Sequence, residues 1–170
     1  MRVHTCKAFV TGCLAFACLA VFSLAHLDRA ALALTAREAE SVVNVLEKLK
    51  ADGMQIAYDD ESADDWFEQD SDDKKLITKA GFNQKTWKVA ADETMTGFFA
   101  SIPEAELKST FDNLRKRLEA SAGMTAAQKA AMREVVEEQY AKVNALRAQG
   151  KPFVAAVTPL VPRLRKLAFD

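Results

Sequence analysis

The sequence is poorest in the residues that most often do chemistry. Its 170 residues include three cysteines and two histidines, and all five precede residue 34. They are His4, Cys6, Cys13, Cys18 and His26. A chain that begins at Leu34 therefore has no thiol and no imidazole. This absence excludes disulfides, Ser-His-Asp and Cys-His catalysis, and zinc sites with nitrogen or sulfur ligands. We predict that the protein is not an enzyme.

The first 33 residues predict where the protein is found. Arg2 and Lys7 give a basic start, residues 8–27 are apolar, and Ala31-Leu32-Ala33 offers the small residues of a signal-peptidase site. We predict that residues 1–33 are a signal peptide cleaved near Ala33, which makes the protein periplasmic or secreted. The alternative is an uncleaved inner-membrane anchor formed by residues 8–27, since roughly 20 apolar residues can span a bilayer.

Glycine and proline are scarce, with six and four residues, and most of them mark predicted helix ends. Gly53, Gly81 and Gly123 each follow an apolar stripe, and Gly150-Lys151-Pro152 follows the longest one. No segment shows the apolar–polar alternation of a strand. The pattern predicts an all-α, single-domain bundle of five or six helices over residues 34–170, with short connections marked by Gly and Pro.

Capping residues predict where the helices begin. The capping boxes are Thr35–Glu38, Ser101–Glu104 and Thr125–Gln128, and Asn83 is a cap with Phe82 and Trp87 at the spacing of a hydrophobic staple. Apolar residues at three- and four-residue steps predict the inward faces. After residue 100 these are Leu107, Phe111, Leu114, Leu118, Met132, Val135, Val136, Gln139 or Tyr140, Val143, Leu146, Leu160, Val161, Leu164 and Leu167.

Charge is concentrated between residues 59 and 73, which contain nine acids and no base. Residues 34–170 hold 20 bases and 23 acids, a net charge of −3. Self-repulsion favours a solvated loop at about residues 57–72, pinned by Trp66 and Phe67 or forming a short turn. The alternative is a calcium site, because calcium takes several carboxylate oxygens. Its candidate ligands are Asp59, Asp60, Asp64, Asp65, Asp70, Asp72 and Asp73.

The helix that begins after Asn83 contains the candidate partner-binding residues. Trp87, Met95, Phe98 and Phe99 share one helical face. Such a stripe is first of all a core face, and the alternative is a hydrophobic groove that binds a peptide or another ligand. Gly97 beside the two phenylalanines predicts a close helix crossing or a bend.

A carboxylate-dependent hydrolase is a third hypothesis, since Asp92 and Glu93 are adjacent acids on this same helix. Neighbouring helical residues point about 100° apart, so these two do not face one substrate. Nucleic-acid binding is not expected, because the net charge is negative and no basic stripe with aromatics appears.

Two resemblances follow from short motifs. The LTxxE start at Leu34 and the segment GFxxxxWxxxxDxxM, which begins at Gly81, resemble small exported helical proteins of proteobacteria with no assigned activity. The segment Met124–Gln128 is similar to the LTxxQ motif of Spy-like periplasmic chaperones, which are helical and bind unfolded clients.

Export and the missing catalytic side chains together favour a binding protein. We predict a non-enzymatic periplasmic helical module that binds a protein partner or client in the cell envelope. It needs no cofactor unless the acidic segment binds calcium, and it meets the membrane only if residues 1–33 stay attached.

Overall fold

The chain forms a bundle of helices. In a computed structural model, the structure describes residues 34–59 and 61–169, and this part contains no strand. Six helices have two or more turns, which confirms the predicted all-α bundle, and two have a single turn. The helices are α1 (Ala36–Ala51), α2 (Ser62–Asp72), α3 (Leu76–Lys79), α4 (Gln84–Ser101), α5 (Glu104–Ala120), α6 (Ala126–Gly150), α7 (Val154–Val157) and α8 (Val161–Phe169).

Helix α4 is the centre of the bundle. It contacts α1, α2, α6, α7 and α8, and its Trp87 is completely buried. The indole Nε1–H of Trp87 donates to the carbonyl of Ala63 at 2.9 Å, so the ring is buried without an unpaired donor. The Phe82 ring lies 5.6 Å from that of Trp87, which confirms the predicted staple. The start of α4 is therefore fixed by both packing and hydrogen bonding.

Three of the four predicted helix starts are present as hydrogen-bonded caps. Thr35 and Thr125 form their boxes with Glu38 and Gln128, and Asn83 forms one with Thr86. The box predicted at Ser101 is wrong. Ser101 is the last residue of α4, and its hydroxyl donates to the carbonyl of Gly97 at 2.8 Å, so it is not available to cap α5.

The acidic segment is mostly helix, which corrects the predicted loop. Asp59 Oδ1 accepts the N–H groups of Glu61 and Ser62 at 3.0 Å, which fixes the turn that precedes α2. One face of α2 buries Ala63 and Trp66. The burial of an indole, worth roughly 2–3 kcal/mol, outweighs repulsion between solvated carboxylates. After α2 the chain forms only the single helical turn α3 before Gly81.

The C-terminal helix α8 docks as its apolar spacing predicts. Leu160, Leu164 and Leu167 are buried, and Val161 is partly buried. Two arginines hold the outer side of α8 through paired N–H···O contacts with carboxylates, Arg163 with Glu47 and Arg165 with Glu106. Lys50 donates to the carbonyls of Lys166 and Leu167 near the end of the helix.

The predicted signal peptide or anchor, residues 1–33, lies outside the described residues. Across the residues that the structure does describe, none of the helices combines the length and the apolar character needed to cross a bilayer.

Candidate interaction surface

The aromatic face of α4 belongs to the core. Trp87, Met95 and Phe98 are 0%, 4% and 1% exposed, so a partner cannot reach them. The groove hypothesis is therefore wrong for these three residues, and the core interpretation is right. Phe99, the fourth candidate, is partly buried.

A small apolar cavity lies beside Phe99. Its volume is about 200 Å³, and its lining includes Met95, Phe98, Ile56 and Tyr58. The Tyr58 hydroxyl donates to Asp92 Oδ1 at 3.2 Å. Pockets for drug-sized ligands usually measure about 300–1,000 Å³. The cavity is below that range, so we do not assign the function to it.

The acidic candidates for calcium are engaged in separate local contacts. Asp59 caps α2, and Asp64 pairs with Lys88 at 2.7 Å. Asp70 is buried, and its two oxygens accept the N–H groups of Leu76 and Ile77 at 2.8 Å. The other described candidates, Asp65, Asp72 and Asp73, are exposed, and Asp60 lies outside the described residues. Within residues 34–59 and 61–169, no three acidic or other ligand side chains are grouped to hold a metal. Calcium binding by this segment stays an untested alternative hypothesis.

The neighbouring acids of α4 have different surroundings. Asp92 contacts Tyr58 and lies 4.0 Å from Lys88, whereas the groups that influence the pKa of Glu93 include the backbone of Leu34 and the charge of Glu38. Burial is the main reason that the pKa of Glu93 is raised, and the charges of Glu38 and Asp92 add to it. The two carboxylates therefore do not converge on one site.

Helices α5 and α6 form an antiparallel hairpin with one ion-paired face. Arg115 donates to both oxygens of Glu137, at 2.7 and 2.8 Å, and its guanidinium lies 5.2 Å from the Tyr140 ring. Nearer the tip of the hairpin, Arg133 pairs with Glu119. These contacts define the sides on which the two helices meet.

The hairpin also exposes large apolar side chains. Leu114 of α5 is 44% exposed, and Met132 and Val135 of α6 are 42% and 46% exposed. The prediction that these three residues point into the core is wrong. Two neighbouring residues, Leu118 and Val136, are only 9% and 5% exposed, and Val136 belongs to the hydrophobic core of the bundle. We call the five residues the tip face.

Helix geometry places most of the tip face on one side of the hairpin. Residues advance about 100° per position, so Leu114, Met132 and Val136 each lie about 100° before an ion-paired residue. Val135 lies about 160° from both Arg133 and Glu137, towards the outer side of α6. The rotation has the same sense on both helices. Because the helices are antiparallel, both stripes lie on the same side of the pair. Near the base of the hairpin this stripe is covered, as the burial of Leu107, Phe111 and Leu146 shows. Towards the tip it is open.

The edges of the tip face have opposite charge. Arg117 lies three residues after Leu114 on α5, and Glu138 lies three residues after Val135 on α6. Both are exposed, and neither forms an ion pair with another residue of the described chain. Arg117 and Glu138 therefore place one basic group on the α5 side and one acidic group on the α6 side of the tip face.

Helix length is the sequence feature that points to this surface. Helix α6 has 25 residues and α4 has 18, which correspond to about 38 and 27 Å. A helix longer than the central helix of the bundle extends beyond what the bundle can cover. Its apolar stripe, which is continuous from Met132 to Leu146, then has an uncovered end.

Comparison with known proteins gives no relative. No protein-family model matches the chain, and neither the curated proteins nor the solved structures include a match.

Proposed function

We propose that this protein is a non-enzymatic helical module of the cell envelope that binds a protein partner or client through the tip face. The observation that supports the proposal most directly is the exposure of Leu114, Met132 and Val135, each above 40%, on a single hairpin. Scattered single apolar residues are normal on protein surfaces, whereas grouped ones mark interaction sites.

The shape of the surface favours a helical partner. Two antiparallel helices with an apolar stripe form a shallow groove, and an amphipathic helix can lay its apolar face into it. Such a helix would cover the open part of the apolar stripe. The bundle itself covers this stripe only near the base of the hairpin. The partner is then a protein segment with apolar residues at three- and four-residue spacing.

The edge charges set a preferred direction for that segment. A helix with acidic residues along one side and basic residues along the other pairs with Arg117 and Glu138 in one orientation only. Opposite charges across an interface contribute more to orientation and association rate than to affinity. We therefore expect binding to weaken modestly with salt while the apolar contacts supply most of the free energy.

The signal-like character of residues 1–33 supports the proposed envelope location, and the composition supports the proposed absence of catalysis. The residues that follow the predicted cleavage site include no Cys or His, and the adjacent acids Asp92 and Glu93 have separate surroundings. Partner binding needs neither a nucleophile nor a metal.

Site-specific crosslinking tests the proposal. A photoreactive residue replaces Val135 in the full chain, expressed in its own host, and a second variant has it at Val89, which is 50% exposed on α4. We expect one stoichiometric crosslinked protein from position 135 and none from position 89. Addition of Leu114→Asp to the variant labelled at position 135 should abolish the crosslink.

Two results would contradict the proposal. Equal crosslinking from positions 135 and 89 would show non-specific contact with exposed apolar residues. A specific crosslink that survives Leu114→Asp together with Met132→Asp would show that the partner binds elsewhere. Crosslinks from position 135 to many unrelated proteins, all lost with Leu114→Asp, would identify the occupants as unfolded clients.

A further inference from the structure

The cavity beside Phe99 is built by several elements of the bundle. Its volume is about 200 Å³, whereas protein interiors contain few voids larger than a water molecule. Three helices contribute buried residues to its lining, Leu46 from α1, Phe98 from α4 and Leu164 from α8. The non-helical segment between α1 and α2 adds Tyr58. The cavity is therefore a feature of the whole fold, and its walls are in place before any ligand arrives.

The side chains around the cavity are apolar. Of the described residues that line it, only Tyr58 carries a polar group, and this hydroxyl already donates to Asp92 Oδ1 at 3.2 Å. An ordered water needs two to four polar partners, which these side chains do not offer. A charged ligand would lose its hydration without replacement. The lining therefore suits a neutral, apolar molecule.

Aromatic rings make up part of the wall. The Phe99 ring lies 5.9 Å from the Tyr58 ring and 5.8 Å from the Phe98 ring, and both pairs are tilted. Met95, whose thioether makes favourable contacts with rings, lines the same cavity. An added aromatic ring gains from edge and offset contacts with such a wall beyond the area that it buries, whereas an alkyl chain gains only the buried area. The wall favours a ring over a chain of equal volume.

The volume of the cavity sets the size of its ligand. An engineered apolar cavity of about 150 Å³, lined by Leu, Ile and Phe in another protein, stays dry and binds benzene. At about 200 Å³, the cavity has room for one ring with a small substituent. Drug-sized ligands need about 300 Å³ or more.

We propose that this cavity is a binding site for a neutral, single-ring aromatic molecule of about the size of toluene. None of the described lining residues belongs to α5 or α6, which form the tip face. The site is therefore separate from the surface that we assign to the protein partner, and each can be tested without the other.

Two alanines mark the opening of the cavity. Ala57 of the non-helical segment and Ala168 in the last turn of α8 line the cavity, and both are exposed. Their methyl groups leave the opening unobstructed. A large side chain at either position would block it at little cost in stability, because substitutions at exposed positions usually change stability very little.

The test follows methionine methyl groups by NMR. The protein is labelled with ¹³C-methyl methionine in its own host and titrated with toluene, and Met95→Leu assigns the signal of interest. Met95 lines the cavity, whereas Met54, Met124 and Met132 do not, so these three are internal controls. We expect a saturable shift of the Met95 methyl with a Kd of about 0.1–1 mM. Met132, which belongs to the tip face, should not shift.

Blocking variants show whether toluene enters through the opening. Ala168→Trp should raise the Kd at least tenfold, while Ala148→Trp, at an exposed position on α6, should leave it unchanged. Ala57→Trp blocks the other side of the opening, and it replaces Ala168→Trp if that variant disturbs α8.

A short ligand series tests the chemical class. Benzoate has the same ring with a carboxylate, so it should bind at least tenfold more weakly than toluene. Saturated n-hexane, at its solubility limit, should not displace bound toluene. Displacement by n-hexane would overturn the assignment, because the cavity would then hold an alkyl chain.

Three further results would overturn the proposal. The first is a Met95 methyl that shows no saturable shift. The second is a shift of Met132 as large as that of Met95, which would show non-specific binding to apolar surface. The third is a Kd that both blocking variants leave unchanged. None of these results would affect the crosslinking experiment, which tests the tip face alone.

Discussion

Gly150 at the end of α6 is in direct backbone contact with Thr96 in the middle of α4. A Cβ atom on Gly150 would lie 1.9 Å from the carbonyl oxygen of Thr96 and 2.7 Å from the nitrogen of Gly97. The two helices therefore cross without a side chain between them at this point. The contact anchors the base of the α5–α6 hairpin to the central helix.

Gly150→Ala should destabilise the protein by about 2 kcal/mol or more. The backbone of Gly150 is right-handed helical, with φ −76° and ψ −10°, so alanine fits the conformation and would otherwise gain up to about 1 kcal/mol of helix propensity. The clash is with backbone atoms, which cannot rotate away, and overpacking of this kind typically costs about 1–3 kcal/mol or more. Urea unfolding measures the change.

The control for this substitution is Gly123→Ala. A Cβ on Gly123 meets nothing within 4 Å, so stability should change by less than about 0.5 kcal/mol. Gly97→Ala should fall between the two, because its Cβ would meet the Val157 side chain at 2.9 Å, and a side chain can partly adjust. A Gly150→Ala protein as stable as the Gly123→Ala protein would show that the close crossing is absent in solution.

Asp70→Ala should be the most damaging substitution among the described acids of the segment 59–73. Both Asp70 oxygens accept buried backbone N–H groups, from Leu76 and Ile77, across a turn in which Lys75 has a positive φ of 55°. Loss of the carboxylate leaves two donors unpaired, and we expect about 3 kcal/mol of destabilisation. Asp65→Ala, at an exposed position, should change the free energy of unfolding by less than about 0.5 kcal/mol. If the two substitutions had equal effects, the hydrogen bonds from Leu76 and Ile77 to Asp70 would not be a source of stability.

Local features of the fold could be predicted from the sequence. The starts of α1, α4 and α6 are set by Thr35, Asn83 and Thr125, whose side chains bond to N–H groups three residues away. Such contacts are complete within one turn, so they are visible in a short window of sequence. The segment Met124–Gln128 similarly has a full local explanation in the box formed by Thr125 and Gln128.

The sequence predictions are wrong where contacts between residues far apart in the sequence determine the structure. Helix α2 looked too acidic to pack, but Trp66 lies against Trp87, with ring centroids 6.5 Å apart, and no local pattern encodes that contact. Val135 and Val136 have the same apolar character, yet one is 46% and the other 5% exposed. Periodicity finds the stripe on which both lie. Only the tertiary structure shows where the cover over that stripe ends.

Glu47→Gln should make the protein less sensitive to acid. Hydrogen bonds from Arg163 are the main reason that the pKa of Glu47 lies below its ordinary value of 4.5. A carboxyl whose pKa is lowered by folding stabilises the fold above its unfolded pKa, and this contribution is lost as the pH falls through its folded pKa. The Tm of the wild type should therefore drop more than that of Glu47→Gln between pH 7 and pH 3.

The pair is partly exposed, so the effect on Tm should be small and should shrink in high salt. Glu68→Gln is the matched control, because Glu68 is exposed and forms no ion pair within the described residues. If Glu68→Gln and Glu47→Gln changed the acid response equally, the contact with Arg163 would not be its source.

Calcium should leave the melting temperature unchanged. Asp64 is paired with Lys88, and the oxygens of Asp59 and Asp70 accept backbone N–H groups, so the metal would have to replace formed contacts. The comparison is Tm in millimolar calcium against the same concentration of magnesium. A rise in calcium alone, reversed by a chelator, would establish the calcium hypothesis and contradict this prediction.

Met132→Glu together with Val135→Lys should leave the stability of the protein unchanged within about 0.5 kcal/mol. Both side chains are more than 40% exposed, so their replacement removes little buried apolar area, and Glu and Lys are good helix formers. Val136→Glu, one residue further on α6, should instead cost about 3 kcal/mol, because that side chain is 5% exposed and a carboxylate there is buried without a partner. Circular dichroism during thermal unfolding of the two variants measures the contrast.

A large loss of stability in the exposed pair would mean that Met132 and Val135 are covered in solution, either by the protein itself or by a second copy. Dilution separates these cases, since only a second copy makes Tm depend on protein concentration. An unchanged Tm establishes that the tip face is free for a partner, and the double variant then becomes a folded, binding-deficient control for the crosslinking experiment.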